Sequence, residues 1–296
     1  MQFFDIIAKD NFKYTFTQVG DDGVEAGDGE INLGTQYIIS VKPAYRETLA
    51  GKITLPNKDA QGHDITVVGV LGASNITEIY FLENNKYISI GTPNDFINYE
   101  NGGFYNLNKL TKIYFPATMT NLKYIGYYAF GFVSATIENL PDTIEYIEAS
   151  AFKNCQSELN KIPSNVTYIG GEAYRSAINA TFTTLPANLK VILPMVFYSC
   201  PRLEINNFGY DTNAGLVGAT DNQVKIILQG AFYRGADACG KNVTDIYLKN
   251  SIVFIGPEAF LNYGNSQGIT LHDESGLIND ENEASIFGIA RPVTRT

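Results

Sequence analysis

The tightest constraint on this chain is that it repeats itself. Leu122-Lys-Tyr-Ile-Gly-Tyr-Tyr-Ala-Phe130 aligns without gaps on Ile144-Glu-Tyr-Ile-Glu-Ala-Ser-Ala-Phe152, Val166-Thr-Tyr-Ile-Gly-Gly-Glu-Ala-Tyr174 and Ile252-Val-Phe-Ile-Gly-Pro-Glu-Ala-Phe260. Weaker copies begin at Ile65, Tyr87, Leu189 and Val224. Successive starts are mostly 22 or 23 residues apart, with three enlarged units. A unit this short cannot bury its own apolar face, so neighbouring units must stack into a solenoid.

Between these lines lies a second signature, a short β-branched or aromatic run that usually ends in Pro. It reads Ile53-Thr-Leu-Pro56, Ile76-Thr-Glu-Ile-Tyr-Phe81, Leu110-Thr-Lys-Ile-Tyr-Phe-Pro116 and Val243-Thr-Asp-Ile-Tyr-Leu248, with Leu140-Pro141, Ile162-Pro163 and Leu185-Pro186 as remnants. Each unit therefore holds two short strands with Gly or Pro corners. No stretch keeps a helical period beyond one or two turns. The predicted architecture is a β-rich solenoid of about eight rungs over residues 51–278. Residues 1–50 form an N-terminal β cap, and residues 279–296 form a C-terminal cap or docking tail.

The linked pattern L-x-x-I-x-h-P and V-x-x-I-G-x-x-A-F-x-x-C resembles the BspA-type, or Treponema pallidum-type, leucine-rich repeat over residues 51–275. The resemblance implies a right-handed leucine-rich-repeat superhelix and a family used mainly for adhesion and protein recognition. The chain departs from the pattern at Thr92–Gly103 and Tyr210–Gln223, two insertions expected to leave the solenoid as loops. It departs again where Leu193-Pro194 replaces Gly.

The register predicts a buried column of Phe130, Phe152, Tyr174, Phe197, Phe232 and Phe260. Cys155 and Cys200 each follow a column residue by three, in a second core column with Val133, Ala177 and Tyr263. Two rungs at about 4.8 Å each separate those cysteines by about 9 to 10 Å, beyond the roughly 7 Å a disulfide tolerates. They are expected to be packed thiols. Cys239, His63 and His272 stand alone, so no zinc or nucleophile-base signature is present.

The turn Gly20-Asp-Asp-Gly-Val-Glu-Ala-Gly-Asp-Gly-Glu30 has two readings. Asp21, Asp22, Glu25, Asp28 and Glu30 are hard oxygen donors suited to calcium, but the spacing fails the EF-hand template, and a solvated hairpin loop satisfies the same residues. Ile286, Phe287 and Ile289 must either cap the last rung or dock on a partner. No cofactor or metal site is expected.

In V-x-x-I-G the Ile points inward and the residue before it points outward. That alternation sets Tyr124, Tyr146 and Tyr168 on consecutive rungs, followed by Val191, Ile226 and Phe254. Tyr80, Tyr114 and Tyr247 hold the outward place in the other strands. Such a ladder is either an interaction face, open to solvent or pressed against another chain, or a set of rings that stabilise the sheet by leaning on each other.

Lys plus Arg 21 against Asp plus Glu 31 gives a net charge of -10, the wrong sign for a nucleic-acid partner. No apolar run approaches the length of a membrane span, and residues 1–10 lack the basic and apolar regions of an export signal. No convergent polar set points to an enzyme. The expected class is a non-enzymatic recognition or scaffold protein that binds protein or glycan, with homo- or hetero-oligomers both open. Its setting is a tailed-phage virion or, alternatively, a bacterial cell surface on which it acts as an adhesin.

Overall fold

In the computed structural model, which describes residues 2–73, 75–94, 102–233, 239–289 and 292–296, every Ile-Gly line becomes a two-residue strand. The chain opens with β1 (Phe4–Lys9), β2 (Lys13–Val19), β3 (Glu25–Asn32) and β4 (Gln36–Val41). Two series then alternate: β5 (Ala50–Leu55), β6 (Val67–Val68), β7 (Asn75–Phe81), β8 (Ser89–Ile90), β9 (Lys112–Tyr114), β10 (Tyr124–Ile125), β11 (Thr136–Glu138) and β12 (Tyr146–Ile147). After β13 (Tyr168–Ile169) and β14 (Val191–Ile192) come β15 (Asn207–Phe208), β16 (Ile226–Ile227), β17 (Asp245–Leu248), β18 (Phe254–Ile255) and β19 (Ile269–Asp273). A single turn of helix, α1 (Glu283–Phe287), and β20 (Val293–Arg295) close the chain.

One side of the solenoid is a parallel ladder ordered β4-β6-β8-β10-β12-β13, continued after a break by β14-β16-β18. The break falls at the unit where Leu193-Pro194 stands at the Gly position; bulk there is not enough to break the ladder, since Glu148 and Leu228 hold the same place in paired rungs. The opposite side is β5-β7-β9-β11, then a stretch with only an isolated Leu159↔Ala180 bridge, then β15-β17-β19-β20. All eight expected repeat starts carry a strand. Upstream of them, β4 already pairs in parallel with β6, and β1 closes the outer edge of β4 in antiparallel register.

Corners are made by backbone geometry that the sequence hides. The residue before the column Ala or Val is left-handed in six successive rungs, at Tyr128, Ser150, Glu172, Met195, Gly230 and Glu258. A second left-handed column, two residues after the column aromatic, runs through Phe132, Asn154, Ser176, Ser199 and Asn262. Non-glycine residues adopt this region at a cost of about 1 to 2 kcal/mol each. The cost is offset by rung-to-rung bonds such as Phe152 N to Ala173 O, 2.7 Å, and Tyr174 N to Val196 O, 2.9 Å.

The core between the two sides is the expected aromatic column. Phe130, Phe152, Tyr174, Phe197, Phe232 and Phe260 are all buried, with consecutive rings 4.7 to 5.7 Å apart and nearly parallel. Phe104 joins its N-terminal end edge-on, and Phe287 from α1 stacks on Phe260 at 5.4 Å. Ile286 and Phe287 thus lie inside the last rung, whereas Ile289 is 92% exposed. Cys155, Cys200 and Cys239 are all buried, and Cys155 and Cys200 are free. Gly240 N bonds Cys200 O, and Cys239 bridges Tyr263, so Cys239 occupies the same column as the other two. The residues inserted ahead of it conceal that in the sequence.

Of the two insertions, residues 95–101 lie outside the described residues. Residues 210–223 form a loop tied by Thr212 N to Asn250 Oδ1 and by the buried Asn222, while Val217 at its tip is 77% exposed.

Candidate recognition surface

The outward residues of the long ladder fall in strict register: Ser89↔Tyr124↔Tyr146↔Tyr168 on β8, β10, β12 and β13. Tyr146 and Tyr168 stack at 4.7 Å, and Tyr124 tilts against Tyr146 at 6.1 Å. The expectation of a ladder open to solvent or to another chain is corrected here, because the molecule covers it with its own β2–β3 hairpin. Tyr124 and Tyr146 retain only 8% and 3% of their exposure, and Tyr168 is half-buried.

The hairpin is built to lie there. Phe12, Tyr14 and Phe16 alternate along β2 and its lead-in, so all three point to one face. The Tyr14 ring sits 5.2 Å from both Tyr124 and Tyr146. Ser89 stands where the next rungs carry Tyr, which leaves room for the Tyr14 hydroxyl to bond Ser89 Oγ and Gly91 O. Phe16 meets Tyr168 edge-on, Tyr146 Oη donates to Thr15 O, and Thr17 N donates to Tyr168 Oη at 3.3 Å. Phe12, Tyr14, Ile38, Val67, Tyr124 and Tyr146 make a second, smaller core. Burial, with the charge of Glu148 nearby, pushes the Tyr14 hydroxyl well above its ordinary pKa. Burial raises Tyr124 and Tyr168 as well.

Toward its tip the hairpin crosses the break in the ladder. Val19 and Asp21 line a cavity of about 210 Å³ with Lys190, Val191, Lys225 and Ile226. Gly23 lies against the ring of Phe254, so close that a Cβ there would stand 2.4 Å from it. The acids of the turn do not converge: Asp28 and Glu30 pair across the hairpin with Thr17 and Thr15, and Glu30 binds Lys13. Among the described residues no group of three or more His, Cys, Asp or Glu could hold a metal ion.

On the opposite side the aromatic residues do face outward. Tyr80 and Tyr114 lie 5.6 Å apart, with Lys52 Nζ 3.9 Å above the Tyr80 ring and Lys112 about equidistant from both. Tyr80 Oη donates to Glu78 at 2.9 Å. Tyr247 belongs to the other sheet of that side, stacked on His272 at 4.3 Å, and His272 meets Asp245 at 3.1 Å. All three tyrosines are half-buried.

A further surface row was missed. The residue after each column aromatic gives Lys153, Arg175, Tyr198 and Tyr233 on successive rungs. Arg175 lies 4.7 Å over the Tyr198 ring, Tyr198 stacks on Tyr233 at 4.9 Å, and Lys153 reaches the Tyr128 ring. Glu172 bridges Lys153 and Arg175; burial opposes its charge, yet the two cations hold its carboxyl below the usual range. Reading the position after each aligned Phe would have found this row.

The model of the BspA type leucine rich repeat region matches six copies over residues 71–157 and 98–213. Among solved structures, a leucine rich repeat protein of T. pallidum is 21% identical, covering 57% of this chain and 72% of that one with a TM-score of 0.45. A leucine-rich repeat protein from Bacteroides ovatus is 14% identical over 97% of this chain and 99% of that one, with a TM-score of 0.35. A leucine rich cell surface protein of Faecalibacterium prausnitzii is 14% identical over 88% and 90%, with a TM-score of 0.36. No curated protein matches. Among the described residues no helix is long and apolar enough to cross a membrane.

Proposed function

We propose that this chain, whose residues 71–213 are BspA type leucine rich repeats, is a non-enzymatic recognition or scaffold protein that presents its repeat surface to another protein. The observation that carries this reading is the outward aromatic and cationic dressing of a rigid stack: Tyr80, Tyr114, Lys52 and Lys112 on one sheet, Tyr247 and His272 on the other. Half-exposed tyrosines beside cations offer large contact area at low entropic cost. Tyr124, Tyr146 and Tyr168 hold the hairpin instead, and Phe254 meets the hairpin tip.

The setting we propose is a tailed-phage virion, where the protein would decorate head or tail. The free, buried thiols of Cys155 and Cys200 support folding in a reducing compartment before assembly. Immunogold labelling of purified virions and of host envelopes tests the setting; label on envelopes alone makes the protein an adhesin. Replacing Tyr80, Tyr114 and Tyr247 together with Ser tests the surface. Retention on the labelled particle should fall at least tenfold, and unchanged retention removes those residues from the interface.

A further inference from the structure

The rungs of residues 133–143 and 156–165 are tied at both ends and part in between. Gln156 N donates to Val133 O at 2.7 Å at one end. At the other, Ser164 N donates to Asp142 Oδ1 at 3.0 Å, and Lys161 reaches Asp142 Oδ2 at 2.6 Å. Between these ties β11 pairs with β9 alone, and Leu159 pairs with Ala180 on the far side. No backbone hydrogen bond joins residues 136–138 to residues 157–161. Two cavities of about 700 and about 310 Å³ open in the gap and share Ile137, Glu158 and Asn160 as walls.

Alternate residues of a strand turn their N–H and C=O groups to opposite sides. Thr136 N bonds Thr111 O, and Glu138 O accepts from Phe115 N, so these two residues address β9. Ile137 therefore turns its N–H and C=O toward the gap. On the facing wall Leu159 O accepts from Thr181 N. Glu158 and Asn160 accordingly turn their backbone groups toward the same gap. The result is a slot with unjoined main-chain donors and acceptors on both walls. The extended part of its near wall is β11 itself, three residues and about 10 Å long at about 3.3 Å per residue.

We propose that this slot takes an extended segment of a partner polypeptide by strand addition, completing the sheet between β11 and residues 158–160. The proposal rests on the recognition reading above and names where and what the protein recognises. A peptide main chain can pair with the N–H and C=O of Ile137 on one wall and with those of Glu158 and Asn160 on the other, which gives affinity, while side-chain pockets give selectivity. The lining sets the segment's character: Ser134, Thr136, Gln156, Asn179 and Thr181 are neutral hydroxyls and amides. Glu158 and Arg202 carry opposite charges and Lys161 is paired with Asp142, so an uncharged polar segment fits. No aromatic side chain lines either cavity, so a saccharide ring would have nothing to stack on.

The test uses the full chain and a surface-displayed library of random decapeptides, with a saccharide array and sedimentation of the protein alone as parallel arms. Ile137→Pro removes the one N–H of β11 that faces the slot, at the kind of edge position where Pro is tolerated. Asn160→Trp, at an exposed residue, fills the slot without touching β11. Selected peptides should be uncharged and polar at alternate positions and bind at least tenfold more weakly to either variant at unchanged melting temperature. Binding should also slow exchange of the Ile137 amide. Asn160→Trp keeps the test informative if Ile137→Pro does not fold. The proposal is overturned if the library yields no slot-dependent binder, if binders ignore Asn160→Trp, or if that variant instead abolishes saccharide binding or self-association. Should the slot fail while the tyrosine-to-serine variant still loses its particle, recognition stands and only its site moves.

Discussion

Single residues in this molecule answer to their column more than to their immediate neighbours in the chain. Phe152 lies between Phe130 at 4.7 Å and Tyr174 at 5.0 Å, with about 1% of its surface exposed. Phe152→Ala should cost about 3 to 5 kcal/mol in equilibrium unfolding, since neither ring can collapse into the void without leaving its own rung. A loss below 1 kcal/mol would mean the column does not bear on stability. Gly170 answers to a different constraint: a Cβ there would stand 2.3 Å from the backbone N of Ala149 in the preceding rung. Gly170→Ala should therefore cost about 1 to 3 kcal/mol by overpacking. Gly230 supplies the contrast, because a Cβ would meet nothing closer than 3.6 Å but φ is +61°. Gly230→Ala should cost no more than about 1 to 2 kcal/mol, through backbone conformation alone. Thermal or urea unfolding of the two variants separates crowding from torsion. Titration adds a further check. Tyr14 and Tyr263 are raised well above their ordinary pKa by burial, with nearby groups adding to it, and burial raises Tyr87 and Tyr174. A raised folded-state pKa means the stabilisation is full below about pH 10 and is lost as pH rises beyond it. Phenolate absorbance should therefore show these four tyrosines ionising together with unfolding, and ionisation inside a still-folded protein would contradict their burial.

At the scale of elements, the Ile-Gly strands and their order were legible, whereas the second strands expected at Ile162-Pro163 and Leu185-Pro186 do not form and the hairpin's resting place was not legible. Ile-Gly and Ile-Tyr lines repeat at fixed spacing, so each strand announces itself several times over, and the column aromatics follow from the same alignment. The hairpin occurs once. Its alternation of Phe12, Tyr14 and Phe16 marks a strand with one apolar face, but alternation does not say which surface that face will cover. Two clues pointed there: an apolar face must be buried somewhere, and an unbroken row of three exposed tyrosines is itself an unpaid exposure of apolar area. Joined, they predict the docking; taken separately, they made the tyrosines look free. The left-handed corners were illegible for another reason, since Tyr128, Glu172 and Met195 are poor residues for positive φ and only the stacked hydrogen bonds enforce it. The hairpin gives a direct prediction. Replacing Tyr124, Tyr146 and Tyr168 with Ser removes the rings on which Tyr14 and Phe16 rest and should cost more than about 3 kcal/mol, given about 1.5 to 3 kcal/mol per buried aromatic side chain. Amides of β2 and β3 should then exchange as those of a free hairpin. Unchanged protection of both strands would show that the hairpin holds by some other contact.

For the whole molecule, the question is how far one end of the solenoid is coupled to the other. In stacked repeats each rung contacts only its neighbours, so stability adds along the axis and cooperativity is as strong as the weakest interface. The weakest backbone interface here is between β13 and β14, where the strand ladder stops. Two things cross it. One is the core, through Tyr174 on Phe197 at 5.7 Å and bonds such as Glu172 N to Pro194 O at 3.0 Å. The other is the hairpin, which is held by Tyr124, Tyr146 and Tyr168 on one side and on the other meets Phe254 and faces Val191 and Ile226 across the small cavity. The hairpin thus joins non-neighbouring rungs, a link that a nearest-neighbour stack does not otherwise possess. Removing residues 10–33 and joining the ends with a short Gly-Ser linker should loosen that coupling. Hydrogen exchange followed through increasing urea should find amides of residues 51–157 and of residues 191–260 opening in one transition in the intact protein. In the deletion variant the C-terminal block should open first, because it loses the covering of Ile226 and Phe254 and keeps a broken ladder at its N-terminal edge. A single shared transition in both proteins would assign the coupling to the aromatic column alone and reduce the hairpin to a local cover.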